Sequence, residues 1–190
     1  MNTATETLRT EHKAIISMLD ATETVARNIG SGTLPSAEVL QGLLEFFKVF
    51  ADRCHHGKEE DLLFPLLERK GLPHAGGPVG VMLSEHEQGR AWIRQMSDAA
   101  SKFSAGDPAA AQDWAIAASG YAALLRAHIH KENNILFVMA ERMLTSEEQC
   151  ELAEEFERLE VEKMGAGTHE RLHHLMQQLR DEIFGHPAVA

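Results

Sequence analysis

The chain has 190 residues, 44% of them hydrophobic and 25% charged, proportions of an ordinary globular protein. With 29 acidic against 18 basic residues the net charge is −11, which excludes the basic face that nucleic acid or an anionic membrane surface would need. Residues 1–14 lack the apolar core of a secretory signal, and no apolar run reaches the roughly 18–20 residues of a membrane span. Cys54 and Cys150 stand far apart and fit no zinc-type pairing, so a reducing, cytoplasmic setting is expected. Histidine, at 11 residues, is the feature that composition leaves unexplained.

Glycine and proline divide the chain into helical segments. The first, 4–29, keeps Leu8, Ile15, Ile16 and Leu19 on one face and ends at Gly30-Ser31-Gly32. The second, 36–70, opens on Ser36 as cap, repeats Leu40, Leu43, Leu44, Phe47 and Phe50 on its apolar face, and carries Pro65, which should kink or break it. A Gly/Pro-rich stretch, 71–78, precedes the third, 79–103. The fourth, 108–144, is expected to start with Asp107 as N-cap and Pro108 in its first turn, and keeps Leu124, Leu125, Ile129, Leu136 and Val138 at helical spacing. Two tail helices follow, 146–163 and 168–184. No strand pattern occurs. Short connections favour antiparallel neighbours, so the fold expected is all-α: an up-down-up-down four-helix bundle over 1–144 with a helical extension, 145–190, packed on it. Met82, Met96, Met139, Met143, Trp92 and Trp114 read as packing residues.

Two halves of the chain repeat each other. Glu11-His12 is followed 43 residues after His12 by His55-His56-Gly57-Lys58-Glu59, then Leu63-Phe64. Glu85-His86 is followed 42 residues after His86 by His128-Ile129-His130-Lys131-Glu132, then Leu136-Phe137. Each HxxxE puts a histidine and a glutamate on one helix face. At about 1.5 Å per residue, His12 lies roughly 24–26 Å from the end of its helix and His55 roughly 28 Å from the start of the next; His86 and His128 give roughly 26 and 30 Å. His12, His55, Glu59, His86, His128 and Glu132 therefore meet at one level of an antiparallel bundle. Burying four imidazoles and two carboxylates unpaired would cost several kcal/mol each. Two cations bridged by the glutamates and flanked by the histidines satisfy all six; iron or manganese suits such mixed nitrogen and oxygen donors, whereas zinc favours a single tetrahedral centre. The bland alternative is a set of separate surface histidines beside local glutamates.

The stretch from Cys54 to Pro65 resembles the second-helix signature of the hemerythrin HHE cation-binding family, and His128 to Phe137 resembles its fourth-helix counterpart; the likeness covers roughly residues 5–144. It implies a hemerythrin-like bundle with a non-haem, carboxylate-bridged pair of iron ions, manganese or zinc fitting less well. His12, His55, His86 and His128 would be terminal ligands, and Glu59 and Glu132 would bridge. Two departures bear on function. Arg90 stands where oxygen carriers of the family have a second third-helix histidine, and Asn133 stands where they have an aspartate. The site therefore looks closer to four-histidine, two-glutamate variants, which puts reversible oxygen carriage in doubt. His56 and Glu60 adjoin ligands, but neighbours on an α-helix point about 100° apart; they are expected around the site or towards solvent, with ligation as the alternative.

His169-Glu170-Arg171-Leu172-His173 matches HExxH, the zinc-protease helix motif, yet the chain offers no strand to hold a substrate. An amphipathic tail helix, with His169 and His173 near the metal entrance as a further option, is the alternative. Cys54, beside His55, is a thiol that could respond to oxidants. Three uses of the metal stay open: binding of a small diatomic ligand, oxygen or nitric oxide, for sensing or iron handling; an enzyme that decomposes peroxide or reduces a small oxidant; or a structural site whose tail helices mediate association with a protein partner or a second copy.

Overall fold

A computed structural model describes residues 3–165 and 167–185, the side chains of Met164 and His169 excepted. Among the described residues the chain forms six helices and no strand. Helix α1 is Ala4–Gly30; α2 runs over 37–69; α3 is Pro78–Ser104; α4 runs over 110–143; α5 is Ser146–Met164 and α6 is Thr168–Phe184. Starts follow local chemistry. Thr3 with Glu6, and Thr145 with Glu148, form reciprocal capping boxes, and the Ser36 hydroxyl accepts from the Val39 N–H.

Cross-helix pairs fix the register of the bundle. Arg9 meets Glu141 while Arg126 meets Asp20 and Glu23, so α1 and α4 run antiparallel. Lys48 reaches Ser97 and Arg90 reaches both Asp52 and Glu60, so α2 and α3 do the same. Trp92 of α3 lies so close over Gly120 of α4 that a Cβ there would come within 2.8 Å of its ring. The apolar interior falls into two clusters. One gathers Ile15, Leu19, Phe47, Met96, Trp114, Tyr121 and their neighbours; the other gathers Leu8, Leu63, Phe64, Leu67, Phe137 and Phe156 with theirs. Both tail helices pack on the bundle. Leu152 and Phe156 of α5 join the second cluster, and Leu172 and Leu179 of α6 join the first.

Two expectations change in detail. The α-helical part of α4 begins at Ala110; before it, the Asp107 side chain accepts from the Ala109 N–H and tighter i→i−3 bonds run from Ala110 and Ala111 back to Asp107 and Pro108. Pro65 does not break α2. A π-helical turn, Glu59–Leu63, ends just before it, with the Phe64 N–H bonded five residues back to the Glu59 carbonyl. That turn has already displaced the i→i−4 ladder that a proline cannot join, so the ring is accommodated as the α-helical pattern resumes over Phe64–Arg69.

Because Leu179 is 4% exposed within the main core cluster, Leu179→Ala is expected to cost about 2–4 kcal/mol. Chemical denaturation should show this loss in a single transition if α6 folds with the bundle; an unchanged midpoint would show that α6 contributes nothing to it.

Candidate metal centre

Between the two apolar clusters lies one polar layer. His12, His55, His56, His86, His128, Glu59 and Glu132 are all buried, none more than 3% exposed. Their inward atoms form two overlapping groups. One holds His12, His55, Glu59 and Glu132, and the other holds His56, Glu59, His86 and His128, the donor atoms of each lying within 4.8 Å of one another. Both carboxylates face both sides. The two oxygens of Glu59 stand 3.6 Å from His55 Nε2 and 3.5 Å from His86 Nε2, and those of Glu132 stand 3.2 Å from His12 Nε2 and 3.2 Å from His128 Nε2.

The outer edge of each ring is held by an acceptor. The Nδ1 atoms of His55, His86 and His128 meet carboxylate oxygens of Glu11 at 2.8 Å, Glu60 at 2.6 Å and Glu85 at 2.9 Å. His12 Nδ1 meets the Asn133 amide oxygen at 3.0 Å, and His56 Nδ1 meets Asp52 at a longer 3.4 Å. Since an ionised carboxylate or an amide oxygen can only accept, Nδ1 carries the proton and the Nε2 lone pair points inward, the tautomer that metal-binding histidines need. Arg9 donates to Asn133 through both its carbonyl and its amide oxygen, which fixes the side-chain orientation. Inside the layer the situation reverses: Nε2 of His12, His55 and His56 and all four oxygens of Glu59 and Glu132 are buried without a hydrogen-bond partner. Buried polar atoms are otherwise nearly always satisfied. A donor set of imidazole nitrogens and carboxylate oxygens, orphaned only on its inner side, fits divalent or trivalent cations.

The outer shell repeats as the inner one does. Glu11 precedes His12 yet holds His55, and Glu85 precedes His86 yet holds His128. Lys58 and Lys131, each one residue before a layer glutamate, hold Glu11 and Glu85 in turn. Glu60 and Asn133, each one residue after, cross to the other half and hold His86 and His12. Glu59 and Glu132 both begin π-helical turns, Glu59–Leu63 and Glu132–Leu136, and such turns gather at functional sites.

His56 departs from the expectation that it would lie outside. It is 3% exposed, stacks on His86 at 3.8 Å between centroids, and completes the second group. The π-helical stretch Phe47–His56 spreads more residues over each turn, so successive side chains diverge less than on an α-helix. A signal was available: His56 matches Ile129 in the repeat, and Ile129 already read as core-facing. Arg90, in place of a histidine, points away from the layer and ties Asp52 and Glu60, the residues that hold His56 and His86. Glu60 thus lies outside the layer. His173 is exposed on α6, which packs against α1 and the first part of α2; the side chain of His169 lies outside the described residues. His173 is in neither group of the layer. Cys54 is buried and burial pushes its thiol up to about 12, which leaves it protonated and unreactive at neutral pH.

The hemerythrin HHE cation binding domain matches residues 3–140, and the chain belongs to that family. It is similar to the iron-sulfur cluster repair protein YtfE of Escherichia coli O81 (strain ED1a), with 31% identity over 107 residues that make up 54% of this chain and 48% of the relative. The YtfE proteins of Escherichia coli O1:K1 / APEC and of Escherichia fergusonii are 30% identical over the same shares. The chain spans about half the length of these curated relatives. No solved structure matches. Among the described residues no helix is long and apolar enough to cross a membrane. Family and layer together make this an iron- or cation-binding domain of hemerythrin type.

Protons and cations compete for the layer. Burial lowers His55 to about 4, and burial with the neighbouring imidazoles holds His56 well below its ordinary value, so both are neutral at pH 7. Burial also acts to lower His128, but Glu132 and Glu85 overcome it and raise the ring to about 9. Burial and the adjacent Glu132 charge push Glu59 well up. At neutral pH the metal-free layer therefore keeps a second proton on His128 that ligation must expel. Metal uptake at pH 7 should release protons and tighten as pH rises from 6 to 8. Calorimetry in two buffers of different ionisation enthalpy reads the number directly; uptake without proton release would contradict this charge assignment.

Proposed function

We propose that this chain is a non-haem di-iron protein of the hemerythrin HHE type, whose centre binds oxygen, nitric oxide or a related small ligand for sensing or iron handling. The observation that carries the proposal is the set of partnerless inward atoms on His12, His55, His56, Glu59 and Glu132. Glu59 and Glu132 each turn one oxygen to each histidine group, which suits two cations sharing both carboxylates. Mixed nitrogen and oxygen donors in that number favour iron over zinc, which is commonly closed by four ligands.

The two sides are unequal. His56, His86 and His128 supply three nitrogens to one, while His12 and His55 supply two to the other. The side with fewer protein donors is the one to accept an added ligand. The doubt drawn from Arg90 and Asn133 concerned reversible oxygen carriage, and the inequality of the two sides supports the open position that small-ligand binding needs. Bound iron would supply redox activity and open coordination positions at that side. The chain's own contribution is to orient the imidazoles through Glu11, Glu60, Glu85, Asp52 and Asn133, and to surround the layer with apolar packing from Phe64 and Phe137, each stacked on a layer histidine. Iron handling is the broader role in which the repair of iron-sulfur clusters, named for the YtfE relatives, would fall.

Anaerobic titration of the metal-free protein with ferrous iron should reach two equivalents per chain, and oxygen or nitric oxide should then produce a stable change in the absorption spectrum. Glu59→Ala should abolish dinuclear loading, and His56→Ile, which copies the matching residue of the repeat, should weaken retention of one iron at least tenfold. Fewer than one iron per chain under loading conditions would overturn the proposal. Sustained peroxide consumption that disappears in Glu59→Ala would replace it with the enzymatic reading.

A further inference from the structure

The outer shell of the layer is two-fold in pattern but ends differently in its two halves. In the second half the connection runs His128–Glu85–Lys131, and Lys131, with a side chain 34% exposed, finishes in water. In the first half it runs His55–Glu11–Lys58, and the Lys58 side chain is only 2% exposed. A buried ammonium needs its charge paired and its remaining donors satisfied. Its second partner comes from outside the bundle: Glu160 Oε2 of α5 stands 2.8 Å from Lys58 Nζ, and the Cys54 thiol donates to the same oxygen at 3.8 Å. A cleft of about 260 Å³ beside it is lined by Thr7, Lys58, Phe156, Glu157 and Glu160 among others. Helix α5 lies beyond the residues matched by the family, 3–140, so this chain adds a carboxylate of its own to the shell of one metal position.

We propose that Glu160 is a positioning residue for the metal centre: through Lys58, Glu11 and His55 the tail helix sets the reduction potential of the iron, an inference that rests on the di-iron reading above. The argument is electrostatic. Lys58 stands between two carboxylates, Glu11 and Glu160, so the three groups together carry one net negative charge. Removing the Glu160 charge takes these three groups from one net negative charge to zero, beside the buried carboxylate that polarises His55 and where charges are poorly screened, which acts on the iron as an added positive charge would. Positive charge near iron favours Fe(II) over Fe(III), so the equilibrium for taking up one electron shifts to the reduced form. Removing the Lys58 charge shifts it the other way. Lys131, with a third of its side chain in solvent against 2% for Lys58, is better screened and should matter less.

The test is a redox titration of the iron-loaded full chain, with iron content measured first and the mixed-valent state followed by electron paramagnetic resonance. Glu160→Gln should move the one-electron equilibrium about tenfold towards Fe(II), about 59 mV for a one-electron step. Lys58→Gln should move it in the opposite direction, and reads the same connection should Glu160→Gln fail to hold two irons. Glu160→Asp, which keeps the charge, should retain the wild-type potential, and Lys131→Gln should shift the equilibrium less than twofold. The inference is overturned if Glu160→Gln shifts the potential no more than Lys131→Gln does. It is overturned equally if Glu160→Asp shifts it as far as Glu160→Gln, because shape and not charge would then be responsible. Wild-type protein that never takes up two irons defeats the di-iron reading instead, before any variant is compared.

Discussion

Seven buried polar side chains facing one another across the middle of an apolar bundle constrain everything around them. The layer of five imidazoles and two carboxylates separates the interior into two hydrophobic clusters that would otherwise be one. Left without cations, its inner atoms would each carry a desolvation cost of the order of 1–3 kcal/mol, more for the ionised ones. Apolar packing on both sides can hold such a layer in place but cannot satisfy it. The outer shell can, and does, on the far edge of each ring, where Glu11, Glu60, Glu85, Asp52 and Asn133 take the Nδ1 protons. What remains unsatisfied lies only on the side where metal would sit. The rest of the fold is consistent with that demand: four helices brought level, and an outer ring of charges held by Lys58, Arg90 and Lys131.

The helix backbone departs from α-helical bonding where it meets this geometry. Two glutamates must reach the same centre from opposite helices, and each begins a π-helical turn that ends at a phenylalanine, Phe64 in one half and Phe137 in the other. Those phenylalanines then stack on His86 and His12. A local departure from α-helical bonding, which is unfavourable by itself, thus delivers both a ligand and the ring that shields another ligand. In α2 the same turn makes room for Pro65, whose missing N–H falls where the regular ladder has already been interrupted. The longer π-helical stretch Phe47–His56 has no equivalent in α4, and it is in α2 that two consecutive histidines both face inward.

Much of this was legible in the sequence, because a repeat compares the chain with itself. The paired Glu-His and HxxxE segments, together with helix lengths, brought out six of the seven layer residues and the level at which they meet. Helix boundaries were readable wherever a cap was local, as at Ser36 and Thr145. His56 was not, because the expectation assumed α-helical angles throughout, and nothing in hydrophobic periodicity marks a π-helical turn. The repeat did hold the clue in Ile129, whose apolar character shows which way that position faces. The shell depended on contacts between distant segments, such as Glu60 with His86 and Lys58 with Glu160, separated by 26 and 102 residues; spacing along one helix carries no information about those. The HExxH match carried little weight for a related reason. It is a local pattern, and the partners that would give it meaning are supplied by the fold.

Departures from two-fold symmetry are where this chain becomes specific. The inner frame is a near-exact repetition, and a dinuclear site with equivalent halves would treat both cations alike. Three substitutions within the repeat prevent that: His56 against Ile129 adds a nitrogen on one side, Glu60 against Asn133 places a charged acceptor behind His86 and a neutral one behind His12, and Arg90 against Ile16 braces one side alone. A charged acceptor makes its imidazole a stronger donor than a neutral one does. The His56–His86–His128 side is therefore both richer in nitrogen and more strongly donating at His86, and the His12–His55 side is poorer on the first count and weaker at His12. Glu160, reaching in from α5, meets Lys58 behind that poorer side. The two halves of the bundle thus supply a common frame, and the residues that break the repeat, together with the tail outside it, make one histidine group unlike the other.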